Sequence, residues 1–487
     1  MVHLLAEGMS YHQAIKSPES LKICVIGGGA AGLAALKVIK DSHQFQSGNW
    51  DVFAFESRQD VGGVWLPAPP TGDPPLTPLY DSLTTNLPHP LMAYPSFLFP
   101  NETNLYPKAQ EVLAYLKRYA EEFELMRHIM LNVSVTSVTW TGASWVVKTT
   151  ADRDGVDCDR IIVANGHYRV PFFPPIPGLQ SWIHHRKVTH SAWYRSPHFV
   201  GDVVLVVGGG PSGQDLTHEM STVCKTVVHS VPGTQPTQSG NIKLRSRVVR
   251  FSESDSSVTF EDGTSEAGID HVFLATGYLT SFPFFSEDVL VDAVPPPVPP
   301  LPQHAYNSSQ HVFPLALDLF PLQADFPVNS VAFMGLPIKV VPFPLCEAQA
   351  RAAVKAFSDP SAIDPAREAV AIVSRYEALM TECAGDGERV AHAWFRYRNQ
   401  EQFDYRDALH AFAGLTDEKW KVRAWEKWVY EKKDVLRKSW RMLEESGQSS
   451  EWLKGVGEGG IEDWVNLMER LAEHFCDVPI EGTEAKL

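Results

Sequence analysis

The chain has 487 residues, of which 44% are apolar and 21% are charged, and its formal net charge is −16. This length is typical of two or three domains, and the acidic balance disfavours nucleic-acid binding because phosphates attract a basic surface. No apolar run is long enough for a membrane-spanning helix, so we expect a soluble globular protein without a membrane span.

The first predicted elements form a strand–helix–strand unit over residues 22–56. An apolar strand is followed by the glycine-rich segment GGGAAG and a helix, and WDVFAFE is typical of a second strand. Gly27 allows the tight turn, Gly29 lets the backbone approach a pyrophosphate, and Gly32 lets the helix pack closely. Glu56 ends the second strand, where a carboxylate accepts both hydroxyls of a ribose. A glycine turn beside a surface glutamate is the structural alternative.

The middle of the chain alternates loops, helices and buried strands. Proline and glycine crowd residues 67–78, which predicts an irregular loop, and a helical pattern follows from Pro107. The segments RIIVANGHY, ending at Tyr168, and HVFLATGY, ending at Tyr278, are each typical of a buried strand that ends in a turn. The proline run from Pro295 predicts an extended surface connector.

A second glycine motif, Gly208, Gly210 and Gly213, follows the apolar strand that begins at Val203. The next strand ends at Ser230 without the carboxylate that binds the ribose of NADH, so this motif favours NADPH. The candidate cations for its 2′-phosphate are Lys225, Lys243 and Arg245. Two pyrophosphate cradles in one chain predict hydride transfer between two dinucleotides, and hence an α/β fold with two Rossmann-like dinucleotide-binding domains that face one crevice.

The C-terminal region changes character from Glu347 onward, to helices rich in Ala, Glu, Arg and Trp. One helix is predicted from Asp417 to Glu445, with Thr416 as its N-cap and Gly447 beyond its end. Its apolar face carries Trp425, Trp428, Leu436, Trp440 and Leu443. Packing against the first domain is the favoured interpretation, and a helix lying on a membrane surface is the alternative.

The cysteines and the chain ends indicate where the protein works. Six scattered cysteines without a C-x-x-C pair disfavour a disulfide framework, a metal site and a dithiol reductase. Free thiols are typical of a reducing compartment, and the first residues lack the layout of a secretory signal, so we predict an intracellular, cytoplasmic protein. The last three residues, Ala485, Lys486 and Leu487, resemble a peroxisomal address, with a chance tripeptide as the alternative.

Five longer segments carry a family resemblance: FESRQDVGGVW at 55–65, YDSLTTN at 80–86, VANGHY at 163–168, FLATGY at 273–278 and GLPIKVVPFPLCEAQA at 335–350. They resemble segments of the class B flavin-dependent monooxygenases, in particular the flavin-containing monooxygenases of the yeast and fungal type. That family's identifying sequence is F-x-G-x-x-x-H-x-x-x-Y. In the matching segment HHRKVTHSAWY, His184 and Arg186 replace the first two anchors, while His190 and Tyr194 are retained. The final tyrosine favours heteroatom oxidation over ketone insertion.

The resemblance implies a domain order and a set of cofactor-binding residues. The implied order is an N-terminal tail (1–20), the first part of an FAD-binding domain (21–183), an NADPH-binding domain (184–274), the second part of the FAD-binding domain (275–346) and a C-terminal helical region (347–487). The residues implied for FAD are Gly27, Gly28, Gly29, Ala30, Ala31, Gly32, Glu56, Gly63, Val64, Trp65, Thr85, Asn86 and Leu87. Those implied for NADP are Gly208, Gly210, Ser212, Gly213, Gln214 and Asp215, and the turn at Thr276 and Gly277 is implied to contact cofactor.

The resemblance also implies the reaction. NADPH reduces FAD, the reduced flavin adds O₂ to give a flavin hydroperoxide, and a soft sulfur or nitrogen nucleophile of a small molecule takes the distal oxygen. Asn86 is implied as the catalytic polar group beside the flavin, and Asp215 as a contact of the NADP pyrophosphate or of its surroundings. His167 and His190 are expected to order loops or contact the nicotinamide cofactor, with proton transfer as the alternative.

Three other functions share these features. A Baeyer–Villiger or an N-hydroxylating enzyme would use the same scaffold. A non-enzymatic flavin-binding protein without productive NADPH docking is motivated by His184, Arg186 and the absence of an arginine near Ser230. The sequence leaves the oligomeric state open.

Overall fold

The computed structural model describes residues 20–398 and 400–474. The predicted N-terminal tail before Ser20 and the tripeptide at 485–487 lie outside the described residues. Two mainly parallel sheets, covered by helices, form the architecture, which confirms the predicted α/β fold with two Rossmann-like units.

The first sheet combines strands from distant parts of the chain. Its strands are β1 Leu21–Ile26, β2 Trp50–Phe55, β3 Ile129–Met130, β4 Arg160–Val163 and β11 Val331–Phe333. They pair in the order β11-β4-β1-β2-β3, and all are parallel. The chain order reverses between β1 and β4, and in such sheets ligands bind outside the carboxyl ends of the strands at that point.

The second sheet lies within residues 188–274. Its strands are β5 Val188–His190, β6 Val203–Val207, β7 Thr226–Ser230, β8 Thr237–Ser239, β9 Ile242–Arg245 and β10 His271–Leu274. They pair in the order β8-β9-β7-β6-β10-β5, parallel except for the β8–β9 edge. The order reverses between β6 and β10, which sets a second crevice at the carboxyl end of β6.

The two chain crossings between these sheets pair with each other. Val170–Pro171 and Tyr278–Leu279 form a two-stranded antiparallel sheet. The N–H of Phe172 donates to the carbonyl of Gly277 at 2.9 Å, and the hydroxyl of Thr276 donates to the carbonyl of Phe172 at 2.5 Å. The outgoing and returning segments are therefore fixed to one another at the domain junction.

Smaller antiparallel sheets cover the edges of this core. They are Val135–Trp140 with Trp145–Thr149 and Val156–Cys158, Val248–Ser252 with Ser257–Phe260 and Ser265–Glu266, Tyr306–Asn307 with Val312–Phe313, and Leu315–Ala316 with Phe320–Pro321.

The helices fall into those that cover the sheets and those of the C-terminal region. The first group is α1 Ala30–Asp41, α2 His43–Gln46, α3 His89–Met92, α4 Ala109–Glu122, α5 Leu179–His184, α6 Pro211–Ser221 and α7 Pro342–Ser358. The second is α8 Pro365–Glu382, α9 Gly387–Trp394, α10 Glu401–Phe412, α11 Ala424–Glu431, α12 Lys433–Glu445, α13 Ser449–Trp452 and α14 Ile461–His474. Among the described residues, no helix has both the length and the apolarity needed to cross a membrane.

The predicted start of the C-terminal helical region at residue 347 falls inside α7. This helix begins at Pro342 because proline is tolerated in a first turn, where the missing N–H would have no helical partner. It packs against α1 and therefore belongs with the first sheet.

The single helix predicted from Asp417 to Glu445 is wrong. The chain forms a 3-10 turn at Glu418–Trp420 and then two helices, α11 and α12, that break at Lys432. Thr416 caps neither helix. The N–H of Arg423 donates to the Glu426 carboxylate at 3.0 Å, so the helix starts only at Ala424.

The apolar face predicted for this region is nevertheless formed. Leu436, Trp440 and Leu443 are buried in one cluster, with Trp425 and Trp428 packed against it. The cluster includes first-domain residues from the segment 87–106, which agrees with the packing interpretation favoured for these side chains.

The replaced family glycine at Arg186 stands in a left-handed turn. Arg186 has φ of +57° just past the end of α5. The N–H of Lys187 donates to the carbonyl of Trp182 at 3.0 Å, and that of Arg186 to Ile183 at 2.9 Å, the hydrogen-bond pattern of a Schellman motif. The backbone conformation that suits glycine is thus kept by an exposed arginine under strain.

We predict that Arg186→Gly stabilises the protein by about 0.5–1 kcal/mol, because glycine adopts the left-handed conformation without a Cβ clash. The matched control is His185→Gly, whose φ of −82° needs no glycine, and which is expected to lower the free energy of unfolding. Denaturant unfolding measures both variants. An Arg186→Gly variant less stable than the parent would contradict the prediction.

Candidate functional site

The first glycine turn joins β1 to α1. A Cβ added at Gly27 would lie 2.4 Å from the carbonyl oxygen of Ala164, in the turn after β4, and one at Gly32 would lie 1.9 Å from the carbonyl oxygen of Gly27. Gly27 also has φ of +111°. Only glycine permits these contacts, which seat the start of α1 on the turn and direct its free N–H groups toward the carboxyl edge of the sheet.

Glu56 lies beside this turn and is 5% exposed. Its carboxylate accepts hydrogen bonds from the backbone N–H groups of Gly28 at 2.7 Å and Arg58 at 2.8 Å. These bonds fix the carboxylate at the cradle. They leave lone pairs for the two hydroxyls of a ribose.

The segment Gly63–Trp65 lies against the same cradle, backbone to backbone. The N–H of Gly62 donates to the carbonyl of Gly28 at 3.0 Å, and a Cβ at Gly63 would lie 2.8 Å from the Cα of Gly29. The predicted residues Ala30, Ala31, Val64 and Trp65 are half-buried here. The structure thus brings the first two predicted segments together.

Arg58 organises this arrangement and was missed from the sequence. It is 8% exposed and donates to the carbonyls of Gly63 at 3.1 Å, Leu66 at 2.6 Å and Pro67 at 2.9 Å. Burial lowers the pKa of its guanidinium, which nevertheless stays charged. The sequence offered one signal for the role of Arg58, which is its position two residues after Glu56 and shortly before two adjacent glycines.

The second glycine turn repeats the construction of the first. A Cβ at Gly208 would lie 2.2 Å from the carbonyl oxygen of Ala275, in the turn after β10, and one at Gly213 would lie 1.9 Å from the carbonyl oxygen of Gly208. At Gly210 an added Cβ would meet no atom within 4 Å. The first turn of α6 is therefore open on the side where an anion would bind.

The remaining residues predicted for this cradle occupy different surroundings. Ser212 is half-buried, and Gln214 is exposed with its amide donating to the carbonyl of Gly209 at 3.3 Å. Thr276 and Gly277 follow the turn at Ala275, next to Gly208. Asp215 faces away from solvent and is 9% exposed.

Asn86 is displayed by its two buried neighbours. The N–H of Thr85 donates to the carbonyl of Pro107 at 2.9 Å, and its hydroxyl donates to the carbonyl of Leu87 at 2.8 Å. Asn86 between them is exposed, and its amide forms no hydrogen bond with any residue that the structure describes. The side chain is therefore held by its backbone and available to a ligand, which disfavours a loop amide satisfied by the protein.

The loop that leads to Asn86 is attached to α6 by carboxylates. The hydroxyl of Tyr80 donates to Asp215 at 2.5 Å, and the hydroxyls of Ser82 and Tyr194 both donate to Glu219, one turn further along α6. Burial, together with the neighbouring Asp215, raises the pKa of Tyr80, so this hydroxyl remains a donor. Two facing elements of the two domains are thus joined beside the second cradle.

His190 has a structural role at the domain junction. Its Nδ1 accepts from the N–H of Ala192 at 3.1 Å and its Nε2 faces the carbonyl of Gly277 at 3.1 Å, which requires the neutral ring with the proton on Nε2. Burial lowers the pKa of His190 to about 4. Burial also lowers the pKa of His167 to about 4. The geometry favours the loop-ordering interpretation for His190.

The three candidate cations for a 2′-phosphate differ in position. Lys225 precedes β7 and pairs with Asp202 at 2.6 Å, at the end of the strand opposite Ser230. Arg245 is the register partner of Ser230 on β9. The side chains of Lys243 and Arg245 both pair with Glu266, at 2.8 and 2.5 Å. Lys225 therefore lies at the wrong end of the strand to bind a 2′-phosphate beside Ser230. Of the three cations, Arg245 lies in the best position for that role.

The residues present fit two dinucleotides. Each cradle is a glycine turn under a helix start, one with a buried carboxylate beside it and the other with open space at Gly210. Among the described residues, no group of His, Cys, Asp and Glu side chains could hold a metal ion.

We predict that Gly210→Ala leaves the fold and FAD binding intact while NADP⁺ affinity falls by at least about tenfold, because the new methyl group enters the space proposed for the pyrophosphate. Isothermal titration with NADP⁺ measures this. The matched control, Gly387→Ala at the start of α9, also meets open space and should leave the affinity unchanged. Equal affinities for all three proteins would contradict this placement.

We predict that wild type loses about 2 kcal/mol more stability than His190→Gln when the pH falls from 7 to 5. The folded-state pKa of about 4 lies below the usual 6.5, so the stabilisation is complete above pH 6.5 and is lost as pH falls toward 4. Denaturant unfolding at several pH values measures it. The exposed control His218→Gln should follow wild type, and parallel curves for His190→Gln would contradict the prediction.

Comparison with known proteins identifies the family. A family model described as flavin-binding monooxygenase-like matches residues 20–239 and 232–419. The thiol-specific monooxygenase of Saccharomyces cerevisiae is 31% identical over 345 residues, which cover 69% of this chain and 77% of that protein. The flavin-containing monooxygenase FMO GS-OX5 of Arabidopsis thaliana is 30% identical over 403 residues, 77% of this chain and 81% of that protein.

Solved structures agree with this match. The S-allyl-L-cysteine S-oxygenase from Allium sativum superposes with a TM-score of 0.72 at 27% identity and covers 94% of this chain and 99% of its own. With the two cradles in place, the chain belongs to the flavin-containing monooxygenase family and is a flavin-dependent monooxygenase whose cofactors are FAD and NADP.

Proposed function

We propose that the chain is an NADPH- and O₂-dependent oxygenase that transfers one oxygen atom to a soft nucleophilic sulfur of a small molecule, with nitrogen as the second acceptor. The observation that carries the proposal is the pair of cradles of one construction, connected through the loop that presents Asn86. A nicotinamide and a flavin have to meet for such a reaction, and this loop contacts both cradles: the hydroxyl of Thr77 donates to the carbonyl of Val64 at 2.5 Å, and Tyr80 donates to Asp215 on α6.

The proposed ligands of FAD are the backbone of the turn at Gly27–Gly32, the carboxylate of Glu56 and the segment Gly63–Trp65. When bound, FAD and NADPH supply the electrons and the activation of O₂. The protein's own contribution is to hold the rings together, exclude water and place a polar group at the reacting end.

Asn86 is the group proposed at that end. Its amide both donates and accepts hydrogen bonds, so it can hold an oxygen atom near the flavin without transferring a proton. The buried Thr85 and Leu87 fix its backbone on both sides. A fixed donor that needs no reorganisation is the arrangement that stabilises developing charge.

The hydrogen bonds of His190 support chemistry in which this residue is not a general base. His190 is neutral and uses both ring nitrogens within the protein, so it has no free lone pair for a substrate proton. A thiol, sulfide or amine already carries the lone pair that attacks an electrophilic oxygen. No side-chain base is needed for that step.

Sulfur is proposed as the first acceptor because two proteins similar to this chain act on sulfur by name. One is the thiol-specific monooxygenase of Saccharomyces cerevisiae and the other is the S-allyl-L-cysteine S-oxygenase from Allium sativum. We also propose that the enzyme works inside the cell, since the cysteines Cys24, Cys158, Cys224, Cys346 and Cys383 are buried free thiols.

The test is the coupling of NADPH consumption to product. Purified protein reconstituted with FAD is supplied with NADPH, O₂ and in turn a thiol, a thioether, a tertiary amine and a cyclic ketone, and products are identified by mass. We expect sulfur oxygenation, with NADPH consumption faster with substrate than without it. Conversion of the ketone alone to a lactone would replace the proposal with Baeyer–Villiger oxidation.

We predict that Asn86→Ala retains FAD and consumes NADPH but releases most of the oxygen as hydrogen peroxide, because the polar contact at the flavin is lost. The ratio of product to NADPH measures this, and we expect it to fall at least about tenfold. The control Gln46→Ala removes an exposed side chain from α2. An unchanged ratio in Asn86→Ala would reject the assigned role.

A further inference from the structure

Three distant parts of the chain meet at the carboxylate of Asp215. Its Oδ2 accepts the Tyr80 hydroxyl at 2.5 Å, and Arg441 donates to its Oδ1 at 2.8 Å. Arg437, one turn earlier on α12, approaches Oδ2 at 3.5 Å. Asp215 belongs to α6 of the second cradle, Tyr80 to the loop before Asn86, and the arginines to the C-terminal region.

Arg437 and Arg441 directly follow Leu436 and Trp440, so they lie on the side of α12 next to its apolar face. Leu436, Trp440 and Leu443 pack into a buried cluster that contains Leu87, the residue after Asn86. The apolar face of α12 therefore packs in the cluster that also holds the residue after Asn86, and its arginine side pairs with α6. Helix α12 thus connects the Asn86 segment with the second cradle, and the proposed reaction needs a fixed distance between these two parts.

Because this contact is buried, the Asp215 carboxylate is stable there only when a cation pairs with it. The side chains of Asp215 and Arg437 are 11% and 14% exposed, while that of Arg441 is 44% exposed. A carboxylate so poorly hydrated requires a cationic partner, since an unpaired charge in this position is costly. An unpaired carboxylate on α6 would also repel the diphosphate proposed to bind at the start of that helix.

We propose that Arg437 and Arg441 are positioning residues, which act through Asp215 to hold the second cradle against the Asn86 loop. The inference rests on the proposed function, because the fixed distance matters only if NADPH bound at Gly208–Gly213 must reach a flavin. The arginines touch neither nucleotide in this role. They neutralise Asp215 and fix α6, and the hydride donor is thereby placed within reach.

A direct phosphate-binding role for the arginines is the rival explanation, and the two differ in what they change. If the arginines position α6, their loss slows reduction of the bound flavin even when NADPH saturates the site. Small misplacements of reacting atoms lower a reaction rate by large factors. Loss of a phosphate ligand raises the dissociation constant and leaves the rate at saturation unchanged.

The experiment uses the FAD-loaded protein and variants of Arg441, which is half-exposed and therefore tolerates substitution. The set is Arg441→Gln, Arg441→Lys, Asp215→Asn and the double variant Arg441→Gln/Asp215→Asn, with Lys438→Gln as the control that removes another positive charge from α12. Hydrogen–deuterium exchange of residues 80–88 and 208–221, without NADP, reports the contact itself. Titration gives the NADP⁺ dissociation constant, and anaerobic stopped flow gives the limiting rate of reduction by NADPH.

We expect Arg441→Gln to increase exchange in both segments and to lower the limiting rate about tenfold, with a change in the dissociation constant below about threefold. Arg441→Lys should recover part of the rate, because it restores the charge. The double variant should be no worse than Arg441→Gln, since both changes remove one interaction. Lys438→Gln should match wild type.

Unchanged exchange and an unchanged limiting rate in Arg441→Gln would overturn the inference, as would a raised dissociation constant with an unchanged limiting rate. A wild-type flavin that NADPH fails to reduce would refute the proposed function instead. In that case the exchange data still decide whether Arg441 holds the two segments together.

Discussion

The close backbone approach within each of the two glycine turns sets the positions of the elements around it. In each domain the third glycine of the motif lies so near the carbonyl oxygen of the first that an added Cβ would stand 1.9 Å from it. This approach seats a helix start on the end of a central strand and leaves its N–H groups facing the carboxyl edge of the sheet. Glu56 and the Gly63 turn are both positioned directly against the first of these seats.

The second domain is held by polar contacts that converge on one helix. Asp215 and Glu219, one turn apart on α6, receive hydroxyls from Tyr80, Ser82 and Tyr194. The C-terminal helix α12 adds two arginines to the first of these carboxylates. The C-terminal region is thus part of the site's framework, because it shares a buried cluster with Leu87 and pairs with Asp215 of the second cradle.

Local patterns predicted the strand–helix–strand units well. Residues 22–56 and the segment from Val203 carry apolar strands and glycines at fixed spacing, and the strand, turn and helix of each cradle are near in sequence, although the carbonyls of Ala164 and Ala275 that lie against the turns come from distant segments. Pairings between distant segments could not be predicted, such as β5 with β10 or β11 with β4, since no local signal specifies a partner. The late start of α11 was missed for a similar reason: a continuous apolar face does not reveal that Glu426 accepts the N–H of Arg423 and caps a helix that begins at Ala424.

In the candidate site, too, some features follow from local sequence and others depend on contacts between distant segments. The glycines and Glu56 follow from the motif, whereas the arginine partners of Asp215 depend on tertiary contacts across more than two hundred residues. Arg58 is similar, because its role as the organiser of the Gly63 turn is visible only when three carbonyls surround it. Likewise, the sequence shows that Arg186 replaces a family glycine, but its left-handed backbone angle is visible only in the structure.

The central claim is that two dinucleotides bind one chain at separate cradles and exchange electrons. An anaerobic titration of the FAD-loaded protein with NADPH, followed by the visible absorbance of the flavin, tests it most directly. The account predicts one FAD per chain and full bleaching by one equivalent of NADPH. A flavin that keeps its absorbance in excess NADPH, or that NADPH displaces from the chain, would contradict it.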